Sequence, residues 1–401
     1  MQISIVWREL FIKFSLVFIC LGLWRNGVAP FAFSLLAVAW LLDGGLYKLR
    51  QTIKEPLVQA ILMLCALLFL GLLWGEIPED GKNKWVNYFI LLIYVPLSSL
   101  LNKDRLPWVV GALLVGYLCV LAMGVYQWLV MGGQGVPQMR MSYLSFSSML
   151  GIGIILLVYI SGTCRSVRLG TFFWVVALVL LFIQFHQYGR AFLLATLLSV
   201  SLLMFLHYKS ELRKFLGVSL SLLLVSSFFA YNSAVFQDRW SQAKADIVLS
   251  QQGNYSSSLG YRLAIWDVGL HGIAERPLFG HGTGTPESYF DETVKTYKEG
   301  IYKDLPKFQR TYEYHSDWFE IGMHIGVMGI LAFSFLLWRW YQVFKICHVP
   351  VLGAALVSYI FFSGLTATFM LQNRIPILLL LITAVVICWK KESFKVSKLT
   401  I

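Results

Sequence analysis

Hydrophobic residues fall in long, nearly unbroken runs along this chain, and short polar stretches separate them. Each run covers most or all of a bilayer core roughly 30 Å thick, because an α-helix rises about 1.5 Å per residue. The runs lack the period-two alternation of barrel strands, so we predict helices. The pattern predicts twelve membrane spans, at residues 7–24, 28–47, 56–74, 85–101, 108–130, 143–162, 171–186, 191–208, 215–234, 318–340, 351–370 and 376–389.

The composition favours the same fold class, because 58% of the 401 residues are hydrophobic and only 13% are charged. A water-soluble domain of this size could hardly carry such a composition. We therefore predict an all-α integral membrane protein. The first run is not followed by a small-residue cleavage site, so we expect a retained span and not a signal peptide.

The positive charges indicate how the chain is oriented. With the N-terminus inside, eighteen Lys and Arg residues lie on the cytoplasmic side and six in the short outer loops. Positive charge concentrates in inner loops, so we predict cytoplasmic termini. Anionic lipid headgroups account for the net charge of +12, and nucleic-acid binding is not needed to explain it. The six cysteines avoid the long outer segment and indicate neither disulfides nor a cysteine-based zinc site.

One large polar segment, residues 235–317, lies between the ninth and tenth spans and is predicted to be outside the cytoplasm. It divides the chain into spans one to nine (1–234), the outer segment, and spans ten to twelve with a cytoplasmic tail (318–401). The outer segment has too few apolar residues to form an independent domain, so we expect helices on the membrane surface.

A surface helix is predicted in "SLGYRLAIWDVGLHGIAERPLFGHGTG", with Ser258 as its N-cap. Pro277 and the glycines after it should end this helix, and a second helix should begin after Pro286. The glycine-rich stretch lacks the lysine of a P-loop, so we interpret it as a turn. Spacings of three and four place one apolar face on Leu259, Leu263, Trp266, Leu270 and Ile273.

Four basic residues lie at span edges on the predicted outer side: Arg190, Arg262, His315 and Arg374. A lone arginine at a helix end often reaches a lipid headgroup, and this alternative applies to Arg374 and to Arg25 taken singly. Arg190 lies in a very short outer loop beside Tyr188, which suggests a bound anion. Arginine suits phosphate because its planar fork donates two parallel hydrogen bonds, so several arginines on one side suit a diphosphate.

His315 can act as a general base, because neutral imidazole accepts a proton from a hydroxyl near neutral pH. Asp317 or Glu320 is a candidate to orient the ring through its other nitrogen, although sequence cannot show that contact. His315 and His324 lie too far apart in the chain for a zinc motif, and the nearby acids form no DxD pair. We therefore expect neither a metal nor a cofactor.

Four stretches resemble the O-antigen ligases of the lipopolysaccharide pathway, within a wider superfamily of ligases and polymerases. They cover about a quarter of the chain, in the family's order. The resemblance implies a twelve-span fold of the glycosyltransferase type C kind in the bacterial inner membrane, with a long periplasmic loop between spans nine and ten. The stretches are "QYGRAFLLAT", "SLGYRLAIWDVGLHGIAERPLFGHGTG", "YEYHSDWFEIGMHIGVMGIL" and "NRIPILLLL".

The resemblance also implies an activity: inverting, metal-independent transfer of O-antigen from undecaprenyl diphosphate to a sugar hydroxyl of lipid A-core. Carried over position by position, His315 would be the catalytic base, and Arg190 and Arg262 would hold the diphosphate. Arg374 matches an arginine near the start of the family's last span, displaced by about one residue. The reaction would take place at the periplasmic face.

Three alternatives stay open from the sequence. A polymerase of the same superfamily would use similar arginines but a different acceptor, and a related enzyme could glycosylate proteins. A lipid or saccharide transporter without catalysis is a different class, which tends to place charges near the bilayer midplane. Asp43 is the main candidate for such a charge.

Overall fold

The computed structural model of this protein describes residues 2–25, 27–76, 83–132, 141–305 and 313–399. These residues form helices and connecting turns without β-strands. The helices before the long polar segment are α1 (Gln2–Gly22), α2 (Ala29–Leu42), α3 (Gly45–Thr52), α4 (Pro56–Gly71), a 3₁₀ helix (Lys84–Ile93) leading into α5 (Tyr94–Leu100), α6 (Leu106–Leu129), α7 (Tyr143–Thr163), α8 (Val167–Phe185), α9 (Arg190–Tyr208) and α10 (Leu212–Asn232).

The long connection, residues 233–316, joins this bundle to the last helices. Its described part contains α11 (Ala234–Gln251), α12 (Ser258–Glu275), α13 (Pro286–Thr293) and a 3₁₀ turn (Tyr297–Gly300). The chain then continues through α14 (Asp317–Ile346), α15 (Pro350–Thr366) and α16 (Arg374–Leu399). The connection has its own small core, built around Tyr261, Ile265, Val268 and Tyr314, which is separate from the core of the bundle.

Each of the twelve predicted spans coincides with a helix, which confirms the fold class of an all-α membrane protein. Six helices of the described chain are long and apolar enough to cross a bilayer, namely α6, α7, α8, α9, α10 and α14, and a bent pair would make a seventh. Shorter apolar helices occupy three further predicted spans: Pro56–Gly71, Lys84–Leu100 and Pro350–Thr366. Twelve complete crossings, and the division of the chain into three parts, therefore stay predictions.

The second predicted span, 28–47, is not one straight helix. Helix α2 ends at Leu42, and α3 begins at an angle of 94° to it. Gly44 at this corner has a φ of 73°, which glycine adopts without the steric cost of a side chain. Asp43, also at the corner, accepts hydrogen bonds from Arg105 and Lys48. The charge of Asp43 thus lies at a helix end, paired, and not inside a continuous span.

Helix α12 begins and ends close to the predicted positions, but its cap and its buried face differ. Ser257, and not Ser258, is the N-cap, because its hydroxyl accepts the amide of Gly260 at 3.1 Å. Part of the predicted apolar face points outward, since Leu263 is 38% and Leu270 60% exposed, whereas Trp266 and Ile273 pack against the core of the connection. The most buried side includes Gly269 and Gly272, which let α12 approach Tyr314 and Met323 closely.

Helix α14 is broken two turns after its start. Ile325 and Gly326 leave the helical conformation, with φ of −136° and +63°. The chain before α13 fills the gap, because the amide of Val327 donates to the carbonyl of Pro277 at 2.7 Å. A Cβ at Gly326 would meet the backbone of Leu278 at 2.5 Å, so this approach requires glycine. The part of α14 beyond the break is still long enough to cross a bilayer.

The glycine loop, residues 280–284, forms the turn predicted after α12. All three of its glycines have positive φ. Each backbone amide of the loop donates to a protein acceptor: Gly280 to Arg276 O, His281 to Met323 O, Gly282 to His324 O, Thr283 to Gly71 O and Gly284 to His324 Nδ1. A phosphate would have to displace these bonds, so the loop closes the break in α14 and does not present free amides.

Candidate functional site

His315 lies at the junction between the long connection and α14. Its φ of +50° is in the left-handed region, which residues other than glycine rarely adopt and which often marks functional sites. The flanking residues hold this conformation. The amide of Tyr314 donates to Glu320 Oε2 at 2.7 Å, and the hydroxyl of Ser316 donates to the carbonyl of Gly364 at 3.0 Å. The His315 side chain remains 36% exposed, so a substrate can reach it.

Glu313 is the acid that faces the imidazole. Its Oε1 lies 3.6 Å from His315 Nδ1 and 3.4 Å from Lys84 Nζ. Its Oε2 accepts a hydrogen bond from Thr368 Oγ1 at 2.7 Å. Glu313 could not be recognised from the sequence, because its separation of two residues from His315, outside a helix, predicts no contact. The structure thus places a carboxylate beside the ring nitrogen that would carry the proton of the neutral base.

The electrostatic surroundings keep His315 neutral. Burial lowers the pKa of the imidazole below its ordinary value. The negative charge of Glu313 raises this pKa, whereas the positive charges of Arg262 and Lys84 lower it. The net shift is downward, so the proton-accepting form predominates at neutral pH.

Arg190 and Arg262 come from different helices, and their charges reach the same region as His315. Arg190 is the first residue of α9, after Gly189, where a Cβ would meet Ser147 at 2.7 Å. Burial lowers the pKa of the Arg262 guanidinium, and the charge of Arg190 lowers it further. The charge of Arg262 in turn acts on His315. Arg262 therefore lies within electrostatic range of both Arg190 and His315.

A third arginine, Arg239 of α11, adjoins this group and was missed in the sequence. A guanidinium nitrogen of Arg190 donates to the backbone carbonyl of Arg239. The guanidinium of Arg239 lies over the ring of Tyr188, 4.5 Å from its centroid. The ring of Tyr188 thus contacts the guanidinium of Arg239, while its backbone carbonyl accepts the amide of Arg190. The polar, amphipathic sequence around Arg239 predicts only a surface helix, so no pattern distinguished this residue.

Asp317 and Glu320 are fully buried and have other partners. Both carboxylate oxygens of Asp317 lie 3.2 Å from the amide of Met370, which donates to them. Glu320 Oε1 accepts from His324 Nε2 at 3.2 Å. The described contacts therefore assign the place beside His315 Nδ1 to Glu313, while these two acids fasten the start of α14 to its surroundings.

Arg374 is the first residue of α16 and is partly buried. The segment before it carries two contacts to the site, because Thr368 binds Glu313 and the amide of Met370 binds Asp317. Arg374 is therefore connected to the site through the backbone that precedes it. Its charge is not among those that most affect the pKa of His315.

A narrow pocket with a cavity volume of about 20 Å³ lies beside Glu313, with room for about one water molecule. Lys84, Trp85 and Glu287 contribute to its lining. These side chains can bind a single hydroxyl of a sugar. The pocket therefore offers polar space next to the candidate base.

The arrangement combines a neutral imidazole with guanidinium groups that can bind an anion. In the described part of the chain, no three His, Cys, Asp or Glu side chains are grouped as a metal site. The site can therefore abstract a proton from a hydroxyl close to a bound anion.

Comparison with known proteins adds two findings. Residues 175–334 match the family model described as O-antigen ligase, a stretch that includes Arg190, Arg262 and His315 but not Arg374. A protein of Haemophilus influenzae described as uncharacterized is 28% identical over 138 residues. That alignment covers 33% of this chain and 33% of the relative, so the chain matches about a third of that protein's length.

Proposed function

From the match of residues 175–334 to the O-antigen ligase family model, we propose that this protein is an O-antigen ligase. Its donor is O-antigen carried on undecaprenyl diphosphate, and its acceptor is a sugar hydroxyl of lipid A-core. The observation that supports the proposal is that Arg262 lies within electrostatic range of both Arg190 and His315, which belong to separate elements of an all-helical membrane protein.

The reaction is an inverting substitution at the anomeric carbon of the donor sugar. The acceptor oxygen forms the new glycosidic bond as the bond between the anomeric carbon and the diphosphate oxygen breaks. The acceptor proton passes to His315, and undecaprenyl diphosphate leaves with the electron pair. Neutral imidazole is required for this step, and the lowered pKa of His315 favours it.

Arg190 and Arg262 hold the diphosphate and stabilise the negative charge that develops on it. Fixed guanidinium groups can do so without a metal ion or a cofactor, because they are charged and oriented before the reaction begins. Arg374 has a secondary role in the same binding. Asp317 and Glu320 support the site by fixing the start of α14, and Tyr188 supports it through Arg239.

The acceptor sugar approaches at the pocket beside Glu313, where Lys84 and Trp85 can bind one of its hydroxyls. Both substrates are anchored in lipid, so the membrane confines them to one plane and raises their local concentration. The excess of Lys and Arg in alternate loops supports cytoplasmic termini, which puts the site on the periplasmic side of the inner membrane.

Lipopolysaccharide profiling of a strain that lacks this protein tests the proposal. We expect core without polymer, together with polymer that accumulates on its lipid carrier. Core that bears a single repeat unit would instead identify a polymerase. Unchanged lipopolysaccharide would refute both functions.

Complementation with His315→Ala separates an enzyme from a transporter. The variant should insert normally into the membrane and lose at least about 100-fold of the ligation activity, because the general base is gone. A transporter without catalysis would retain most of its function.

A further inference from the structure

Arg190 and Arg239 lie together, and the charges of Asp246 and Asp238 act favourably on Arg190 without forming an ion pair with it in the described part of the chain. The guanidinium of Arg190 donates to the backbone of Arg239, and the charge of Arg239 acts unfavourably on Arg190. In the described part of the chain, neither arginine, nor Arg262, forms an ion pair with a carboxylate. Like charges held this close are unfavourable unless an anion joins them.

The guanidinium of Arg239 is also incompletely satisfied. Its Nε is buried and has no hydrogen-bond partner, while its Nη1 donates to Gln242 Oε1 at 2.7 Å. A buried donor without an acceptor costs free energy, and the cost is larger when the group is charged. Each such group therefore requires an explanation, and a ligand with acceptor oxygens supplies one.

A buried arginine elsewhere in the same fold shows the opposite arrangement. Arg105, 4% exposed, donates through its three nitrogens to both carboxylate oxygens of Glu9, both of Asp43 and the carbonyl of Leu100. The fold thus satisfies a structural arginine completely. Arg239 lacks carboxylate partners of this kind, which distinguishes it from a residue that only stabilises the fold.

The position of Arg239 is fixed well enough to select a ligand. Its guanidinium stacks on the ring of Tyr188, which limits the orientations of the planar group. Helix α11 is attached to the start of α12, since the amide of Leu259 donates to Asp246 Oδ2 at 3.3 Å. This attachment fixes the end of α11 that contains Asp246 beside the start of α12.

We propose that Arg239 is a third anion-binding residue of this site and selects a diphosphate over a monophosphate. The inference rests on the proposed function, because the diphosphate is that of the polyprenyl donor. Two linked phosphates present more oxygens and more charge than one, so they can engage three guanidinium groups at once. A monophosphate can be held by Arg190 and Arg262 alone.

Binding of undecaprenyl diphosphate and undecaprenyl monophosphate to the purified full-length protein in detergent tests this inference. Arg239→Gln should weaken diphosphate binding by about tenfold and monophosphate binding by less than about threefold, because one charged, bidentate contact is lost. Arg276→Gln is the matched control, since Arg276 lies exposed at the end of α12. The control should bind both lipids like the wild type.

Equal weakening for the two lipids, or no weakening, would overturn the role of Arg239. Arg239→Lys keeps the charge but not the planar fork, so it should bind the diphosphate more weakly than the wild type even if the glutamine variant does not fold. Wild-type affinity in the lysine variant would also overturn the proposal. Should the wild-type protein bind no diphosphate, the proposed function fails too. Should Arg190→Gln weaken binding while Arg239→Gln does not, only the present inference fails.

Discussion

The carboxylate of Glu313 lies 3.6 Å from His315 Nδ1, and its second oxygen is held by Thr368. A proton on Nδ1 is attracted toward this carboxylate, which leaves Nε2 free to accept a proton from a substrate. Thr368 belongs to the segment before α16, so the orientation of the base depends on a part of the chain far away in sequence. Glu313 acts through His315 and is therefore a positioning residue.

Glu313→Gln should shift the pH dependence of sugar transfer. The negative charge of Glu313 raises the pKa of His315, so its removal lowers that pKa further. In the proposed mechanism, activity requires neutral His315 and is lost as the pH falls through this pKa. The acid limb of the pH–activity profile should therefore move to lower pH. The maximal rate should fall by about tenfold, because the ring is less well oriented. A profile of kcat/KM against pH for the purified protein measures both effects.

Lys84→Gln provides a control of opposite sign. The positive charge of Lys84 lowers the pKa of His315, so its removal should raise the pKa and move the acid limb to higher pH. If both residues had a merely structural role, each substitution would reduce the rate. The acid limb would then not move to lower pH in one variant and to higher pH in the other. Shifts of the same sign in the two variants would contradict the electrostatic account.

The sequence predicted the helices of the bundle, because long apolar runs have no other stable structure in lipid. It also predicted the turn after α12, since glycine and proline act locally. The predicted apolar face of α12 is buried only in part, because Trp266 and Ile273 pack against the core of the long connection, whereas Leu263 and Leu270 stay exposed. Hydrophobicity alone does not distinguish a lipid-facing surface from a core in such a protein.

Parts of the candidate site could not be predicted, because they depend on contacts between distant segments. Glu313 is recognised as a partner of His315 only once Thr368 and Lys84 are placed around it. The break in α14 likewise results from the insertion of the glycine loop. Arg239 could not be predicted for the same reason, because its spatial neighbour Arg190 is remote in sequence.

Gly282→Ala should destabilise the protein strongly. Gly282 has a φ of +96°, and a Cβ there would meet the Cα of Gly75 at 2.4 Å, so both the local backbone and the neighbouring chain would have to move. We expect a loss of about 2–4 kcal/mol in the free energy of unfolding, measured by thermal or denaturant unfolding in detergent. Gly217→Ala in α10 is the control, since nothing lies within 4 Å of its Cβ. Equal stability of the two variants would contradict the close packing of the glycine loop.

Glu320→Ala should disturb the backbone that presents His315. Glu320 accepts the amide of Tyr314 and the Nε2 proton of His324, so its truncation leaves two buried donors unsatisfied. We expect a loss of about 3 kcal/mol in unfolding free energy, together with a loss of transfer activity. Glu320→Gln can still accept the Tyr314 amide and should lose less of both. A lower unfolding free energy for Glu320→Gln than for Glu320→Ala would contradict this hydrogen-bond assignment.

The cluster of Arg105, Glu9, Asp43 and Lys48 should contribute strongly to the stability of the bundle. Its members are remote in sequence from the candidate site. The guanidinium of Arg105 pairs with both Glu9 and Asp43, and the three residues belong to three different segments of the chain. Arg105→Met would leave the nearly buried Asp43 with Lys48 as its remaining ionic partner among the described residues. Breaking a buried ion pair in this way costs about 3–5 kcal/mol, because the remaining charge is uncompensated. Lys103→Met, an exposed change in the same turn, should cost less than about 0.5 kcal/mol. Adding Asp43→Asn to Arg105→Met should recover part of the lost unfolding free energy, because it removes the uncompensated charge of Asp43. Strictly additive losses in unfolding experiments would show that the two side chains do not stabilise each other.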